Sequence, residues 1–210
     1  MFDFINKNDL VFDVGANMGL KANRFLEYTD NVVCFEPQAK CIPSLEMLGV
    51  KIENIALSDE VGEAKIYLAD AHTITSMSEE FIKSGLEGRF KDNSWNESET
   101  VPTNTLDNMI LKYGKPKFIK IDVEGYELQV LKGLHQPIEY ISIEFTPELC
   151  KKTVECIDYL PDSLYNYVSQ ENDEFYFKDW VTKSEIIEFV QSIHDYKVEF
   201  GDIYIKYDNR

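Results

Sequence analysis

The chain has 210 residues, of which 44% are hydrophobic and 28% are charged. This length and composition suit a single domain with a real core and exclude a disordered polymer. With 21 basic against 38 acidic residues, the formal net charge is −17. Such a surface repels phosphate backbones, so we expect no nucleic-acid partner.

The sequence also argues against a membrane or secreted protein. No apolar run approaches the ~20 residues needed to span a bilayer. The amino-terminal residues do not show the basic and apolar regions of a secretory signal. The four cysteines contain no C-x-x-C pair and fit free thiols in a reducing compartment. We therefore expect a cytoplasmic protein with no membrane partner.

Strand and helix patterns alternate through the first two thirds of the chain. Short apolar runs rich in branched residues predict strands at residues 10–14, 31–36, 51–57, 118–123 and 140–145. Amphipathic spacing predicts helices at residues 20–28, 38–48, 105–113 and 126–134. This alternation is typical of a Rossmann-like α/β fold, with a mostly parallel sheet covered by helices on both faces.

The remaining segments have other patterns. Residues 64–68 alternate and predict a hairpin strand, whereas residues 70–100 are polar and predict a loop or short helices. After Pro147 we expect helices at 148–159 and 182–193 and a terminal strand at 202–207. The whole chain, 1–210, is then one domain. Its cofactor-binding core is 10–145, and segments 70–100 and 148–200 supply a lid or acceptor pocket.

The most informative segment is VFDVGANMG, residues 11–19, in which a strand runs into a glycine turn. Gly15 and Gly19 have no Cβ, so the backbone can approach a ligand closely. The spacing is G-x-x-x-G, not the G-x-G-x-x-G of dinucleotide enzymes. Asp13 beside this turn would repel a pyrophosphate but attract the positive charges of S-adenosylmethionine (SAM). The charge pattern favours SAM over NAD, and a purely structural turn is the alternative.

An acid ends the second predicted strand, about 20 residues after the glycine turn. Glu36 is placed there to accept hydrogen bonds from the two hydroxyl groups of a ribose, and Pro37 ends strand pairing just beyond it. Because SAM and NAD both carry a ribose, Glu36 supports a nucleoside cofactor without choosing between them. A surface glutamate at a strand end is the alternative.

A third set of acids follows the later strands. Asp122 ends an apolar strand on the side where open α/β sheets bind ligands, and it could hold the amino group of SAM or an acceptor hydroxyl. Asp122, Glu144 and His72 are the candidates for a general base. Glu124 could cap the next helix, or it could join Asp122 and Glu144 around a divalent cation. No ligand spacing requires a cation, and we expect no metal.

These motifs together resemble the FkbM family of SAM-dependent methyltransferases. The resemblance is carried in chain order by VFDVGANMG, CFEP, ENIALSDEVG, TLD and KIDVEGYELQVLKG, from about residue 10 to 145. The segment I-D-V-E-G-x-E is its most specific part. The resemblance implies a class I methyltransferase sandwich with a seven-stranded sheet, in which the strand at 202–207 is antiparallel. It also implies O-methylation of a sugar, a glycan or a small metabolite.

The resemblance further implies a set of cofactor-binding residues. Residues of the glycine turn would hold the methionine end of SAM. Glu36 and Pro37 would hold the ribose, and two apolar residues at the end of the third strand would flank the adenine. Ser76 would lie beside the cofactor. The residues assigned in this way to the turn and to the adenine are Asp13, Gly15, Ala16, Asn17, Gly19, Ala56 and Leu57.

Two other functions stay open on the sequence. The first is an NAD-type oxidoreductase, which the glycine spacing and Asp13 disfavour. The second is a catalytically inactive methyltransferase-like binding module. The acids at three strand ends argue against it, because a domain without chemistry does not need them.

Overall fold

A computed structural model describes residues 2–169, 174–193 and 200–207 of the chain. Its strands in chain order are β1 (Leu10–Val14), β2 (Asn31–Phe35), β3 (Lys51–Glu53), β4 (Ala56–Leu57), β5 (Gly62–Leu68), β6 (Glu97–Asn104), β7 (Phe118–Ile121), β8 (Tyr140–Phe145), β9 (Ser163–Ser169) and β10 (Gly201–Tyr207). Its helices are α1 (Leu20–Phe25), α2 (Ile42–Leu48), α3 (Glu79–Glu87), α4 (Leu106–Tyr113), α5 (Glu127–Lys132), α6 (Cys150–Tyr159) and α7 (Lys183–Ser192).

A seven-stranded sheet in the order β3-β2-β1-β7-β8-β10-β9 forms the centre of the fold. The first five strands in this order, β3, β2, β1, β7 and β8, pair in parallel. Strand β10 pairs antiparallel with both β8 and β9. The predicted Rossmann-like, mostly parallel seven-stranded sheet with an antiparallel last strand is therefore confirmed. Strand β9 was not predicted, because its sequence, SLYNYVS, carries three polar residues and no continuous apolar run.

The alternation of side chains gives the sheet two buried faces. Phe12, Ile119 and Ile143 belong to the core on one face, which also contains apolar residues of α4, α5, α6 and α7. Val11 and Phe118 belong to the core on the other face, with residues of α1, α2 and the amino-terminal segment. Helices therefore cover both faces, as expected. None of the helices in the described ranges is long and apolar enough to cross a membrane.

A smaller, three-stranded sheet in the order β4-β6-β5 corrects two expectations. The single strand predicted at 51–57 is two strands in different sheets. It is interrupted at Asn54, whose side-chain amide donates to the carbonyl oxygens of Glu36 and Pro37 at 2.8 and 3.0 Å. Strand β5 pairs antiparallel with β6, which begins inside the segment expected to be loop or helix. The polar sequence ESET at the start of β6 carries no strand signal.

Three helices begin at side-chain caps that the sequence supplies. Ser78, Thr105 and Thr182 each accept a hydrogen bond from a backbone N–H in the first turn of α3, α4 and α7. Such a cap satisfies one of the N–H groups that a helix leaves free, and it typically contributes about 1 kcal/mol. At the start of α7, Glu185 completes a capping box with Thr182.

Candidate active site

A cavity of about 810 Å³ opens at the carboxyl ends of the parallel strands, the usual ligand position in this architecture. Both segments expected to form an acceptor pocket contribute to its wall, through residues between 72 and 90 and through Val168, Ser169 and Phe200. Residues 170–173 and 194–199 of the second segment lie outside the described residues. The predicted site residues on the wall are Gly15, Ala16, Asn17, Glu36, Pro37, Ala56, Leu57, His72, Ser76, Asp122 and Glu144.

Gly15 brings the ends of β1 and β7 together. Its φ is +79°, and a Cβ there would overlap the carbonyl oxygen of Asp122. The N–H of Asp122 in turn donates to the carbonyl oxygen of Val14 at 2.9 Å. Glycine is therefore required for this close approach of two backbones, as well as for access to a ligand.

Gly19 has a packing role that the sequence did not predict. It also has a positive φ, +86°, but a Cβ there would lie 2.6 Å from the side chain of Leu48 on α2. Gly19 is not among the residues that line the cavity. Its absent side chain allows the start of α1 to pack against α2, so a direct contact of Gly19 with a cofactor stays a prediction.

Asp13 lies beneath the cavity, not on its wall. The residue is buried, and one of its carboxylate oxygens has no hydrogen-bond partner among the described residues. Burial raises the pKa of Asp13 to about 7, although the nearby Lys120 opposes this shift. A contact between Asp13 and the methionine end of a cofactor likewise stays a prediction.

Glu36 is the acid with the clearest geometry for a ribose. It is 2% exposed, and its two carboxylate oxygens accept hydrogen bonds from the backbone N–H groups of Asn17 and Gln38, each at 2.8 Å. Burial raises the pKa of Glu36, and these two hydrogen bonds oppose the shift. Each oxygen keeps a second lone pair for a ligand, so the carboxylate is fixed in orientation and can accept two hydroxyl groups.

Gln38 and His72 complete this side of the cavity. The side-chain amides of Asn17 and Gln38 donate to the carbonyl oxygen of His72 at 3.1 and 3.4 Å. Oε1 of Gln38 and Nδ1 of His72 are buried and have no partner among the described residues. Buried polar atoms are normally hydrogen-bonded, so two such atoms on the cavity wall fit a polar ligand. The sequence did not single out Gln38.

These contacts place His72 beside Glu36, on the side expected for a nucleoside. His72 lines the same cavity as Asp122 and Glu144, the other two candidates for a base. Its assignment as a base stays a prediction, and its position fits a cofactor contact better.

Three carboxylates meet at the other side of the cavity. One oxygen from each of Asp122, Glu124 and Glu144 lies within 4.8 Å of the other two. Burial, followed by the charge of the neighbouring acids, raises the pKa of Glu124 and of Glu144 well above the usual value. A carboxylate whose pKa is raised in this way is more basic than an ordinary one and so better suited to accept a proton. Hard cations also prefer such oxygen donors, so the cation alternative remains open.

The turn that carries Glu124 is held by other residues. Glu124 has a φ of +53°, an uncommon conformation for a residue other than glycine. Its carbonyl oxygen accepts from the hydroxyl of Ser76 at 2.6 Å. The carboxylate of Glu127 accepts from the N–H groups of Val123 and Gly125 at 3.2 and 3.1 Å. Glu124 does not cap α5, whose N-cap is Tyr126.

A family model described as the methyltransferase FkbM domain matches residues 13–176 of the chain. No curated protein matches it. Among solved structures, methyltransferase FkbM from Methylobacillus flagellatus is 15% identical, with a TM-score of 0.52 over 94% of this chain and 43% of that one. The chain thus spans less than half of that relative's length.

Two further structures are more distant. An rRNA methylase from Streptococcus thermophilus is 8% identical, with a TM-score of 0.49 over 96% of this chain and 88% of that one. A putative methyltransferase from Streptococcus mutans in complex with SAH is 10% identical, with a TM-score of 0.47 over 96% and 90%. The family match covers most of the residues that build the cavity, and on that basis the chain belongs to the FkbM methyltransferase family.

Proposed function

We propose that the chain is a SAM-dependent methyltransferase that methylates a hydroxyl group of a sugar, a glycan or another small metabolite. The observation that carries the proposal is the fixed carboxylate of Glu36 on the wall of a cavity whose opposite side holds three further acids. The first feature suits a ribose and the second suits a cationic donor together with a hydroxyl that must lose a proton.

The residues present fit SAM. Glu36 would accept both ribose hydroxyls, while Pro37, Ala56 and Leu57 supply apolar surface for the adenine. The unpartnered atoms of Gln38 and His72 offer polar contacts on the same side. The residues at the methionine end would be Gly15, Ala16, Asn17 and Asp122, with Ser76 holding the neighbouring turn.

SAM, when bound, supplies an electrophilic methyl group. The chain has to orient an acceptor oxygen in line with that group and to remove its proton. Alignment of this kind lowers a barrier by about 7 kcal/mol or more in ideal cases, and a positioned base contributes about 10²–10⁴-fold. Asp122 or Glu144 would take the proton of the acceptor hydroxyl as the new C–O bond forms and the methyl–sulfur bond breaks.

Calorimetric titration tests the cofactor assignment. SAM should bind the parent protein and NAD should not, and Glu36→Ala should weaken SAM binding by about 10-fold or more, because it loses charge-assisted hydrogen bonds. Glu46→Ala, on the exposed surface of α2, is the matched control and should bind SAM like the parent. Equal SAM affinity in Glu36→Ala and the parent would contradict the ribose assignment.

A screen for released S-adenosylhomocysteine tests the reaction. Purified protein is incubated with SAM and a library of small hydroxylated acceptors that includes glycans. A hit is then repeated at saturating SAM with Asp122→Asn and with Glu144→Gln, and the variant that loses turnover although it is saturated with SAM identifies the base. Tight SAM binding without turnover on any acceptor would instead support the inactive binding module.

A further inference from the structure

A lysine lies in the middle of a buried strand, beneath the acidic side of the cavity. Lys120 follows Ile119 in β7 and is only 2% exposed. Its ammonium group contacts two carboxylates, that of Asp122 at 2.8 Å and that of Asp202 on β10 at 3.1 Å. The proposed function assigns no role to this lysine.

The strand register explains how one lysine reaches both acids. Lys120 lies opposite Asp13 on β1 and opposite Ser142 on β8, so all three side chains are on the same face of the sheet. Asp122 and Asp202 are one pleat nearer the carboxyl ends on that face. Strand β8 lies between β7 and β10, and the small side chain at position 142 leaves room for the lysine to extend across it.

The charges make the ion pairs interdependent. A lysine buried alone would cost several kcal/mol, so it needs its carboxylate partners. Burial would lower the pKa of Lys120, but the charges of Asp122 and Asp202 outweigh burial and keep the lysine protonated. In return, the ammonium group is a fixed positive charge directly below a cluster of acids that otherwise repel one another.

The two carboxylate oxygens of Asp122 have different surroundings. Its Oδ2 is held by Lys120, whose side chain is 3% exposed, whereas the side chain of Asp122 is 24% exposed and lies on the cavity wall. We propose that Lys120 is a positioning residue, which holds Asp122 by one oxygen in a fixed orientation, so that the other oxygen is presented to the cofactor and the acceptor. This inference rests on the proposed function.

A double-mutant cycle on SAM affinity tests this role without requiring the acceptor. Lys120→Met should weaken SAM binding by about 10-fold, through loss of the fixed carboxylate. Asp122→Asn should weaken it similarly. If Lys120 acts through Asp122, the double variant should bind SAM within about 2-fold of Asp122→Asn, because the two effects are not additive. A purely structural lysine would instead weaken binding by the same factor in both backgrounds, which would overturn the inference.

Two further variants serve as controls. One removes a lysine outside the site, and the other keeps the positive charge at position 120. Lys117→Met removes a lysine three residues earlier, at the opposite end of the strands where it pairs with Glu139, and should bind SAM like the parent. Lys120→Arg retains the cation and should stay within about 3-fold of the parent. Unchanged SAM affinity in a folded Lys120→Met, or a folded Lys120→Arg as weak as Lys120→Met, would contradict the assignment.

A second background guards against loss of folding in the Lys120→Met variant. If Lys120→Met does not fold, the same cycle is run with Asp202→Asn present throughout, because the loss of one acid together with the lysine leaves the net charge unchanged. Thermal unfolding confirms that each variant is folded. A parent protein that does not bind SAM would overturn the proposed function itself, whereas a parent that binds SAM with an additive cycle would overturn only the role of Lys120.

Discussion

Single residues decide the geometry of this site, and Gly15 is the clearest case. Gly15→Ala would place a methyl group on the carbonyl oxygen of Asp122 in addition to imposing a strained φ. We expect it to lower the free energy of unfolding by about 3 kcal/mol or more and to abolish SAM binding. Urea unfolding and SAM calorimetry measure the two effects.

Gly49 provides the matched control for Gly15. Its φ is +71°, close to that of Gly15, but a Cβ there would meet nothing within 4 Å. Gly49→Ala should therefore cost only the strain of the conformation, about 1–2 kcal/mol, and leave SAM binding intact. If both variants lost the same stability and both kept SAM binding, the close approach of β1 and β7 would not explain Gly15.

The buried carboxyl group of Asp13 should make the free energy of unfolding depend on pH. Its folded pKa of about 7 lies above the ordinary 3.8, so the folded state favours the protonated acid and Asp13 destabilises the fold increasingly as the pH rises from about 4 to 7. Asp13→Asn should therefore stabilise the protein at pH 8, by up to about 4 kcal/mol, and have little effect near pH 4. Unfolding free energies of both proteins across this range test the sign, and a constant difference at all pH values would contradict it.

At the scale of elements, the turn between β7 and α5 depends on one buried carboxylate. Glu127→Ala removes the acceptor for the N–H groups of Val123 and Gly125, and should destabilise the protein by roughly 1–3 kcal/mol. The amides of Val123 and Gly125 should then exchange with deuterium faster than in the parent. Glu127→Gln keeps one acceptor oxygen, so its stability and its exchange rates should lie between those of the parent and those of Glu127→Ala. Unchanged exchange in Glu127→Ala would rule out this role.

Sequence reasoning reached the elements with strong local signals and missed those defined by distant partners. Runs such as LVFDV and YISIEF fix β1 and β8 because branched and aromatic residues dominate each run. Strand β6 starts with four exposed polar residues, and it is the pairing of this part with β5 that makes it a strand. The split of residues 51–57 depends on the hydrogen bonds of Asn54, which no periodicity reveals.

The same distinction applies to the site. The acids at strand ends, Glu36, Asp122 and Glu144, could be predicted because parallel strands end at a common edge. The roles of Gln38 and Glu127 depend on hydrogen bonds to backbone groups, which spacing alone does not indicate. A charged residue inside the apolar run FIKI was a visible signal for Lys120, but its partner Asp202 is 82 residues away.

At the scale of the whole molecule, the net charge of −17 predicts which partners are rejected. We expect any binding to single-stranded RNA to have a dissociation constant above the ~10⁻⁴ M typical of weak non-specific association. Fluorescence anisotropy with a labelled oligonucleotide at low and at physiological salt tests this, since weak screening strengthens both the expected repulsion and the attraction of any basic groove. Binding in the micromolar range would contradict this expectation and would point to a basic groove.

The position of β10 links completion of the sheet to completion of the site. This strand comes last among the strands described, yet it lies between β8 and β9. During synthesis, β9 therefore has no strand to pair with until residues 201–207 have left the ribosome. Asp202, the second partner of Lys120, arrives with the same segment. A nascent chain would thus acquire the partner of its edge strand and the second carboxylate around Lys120 in one late step.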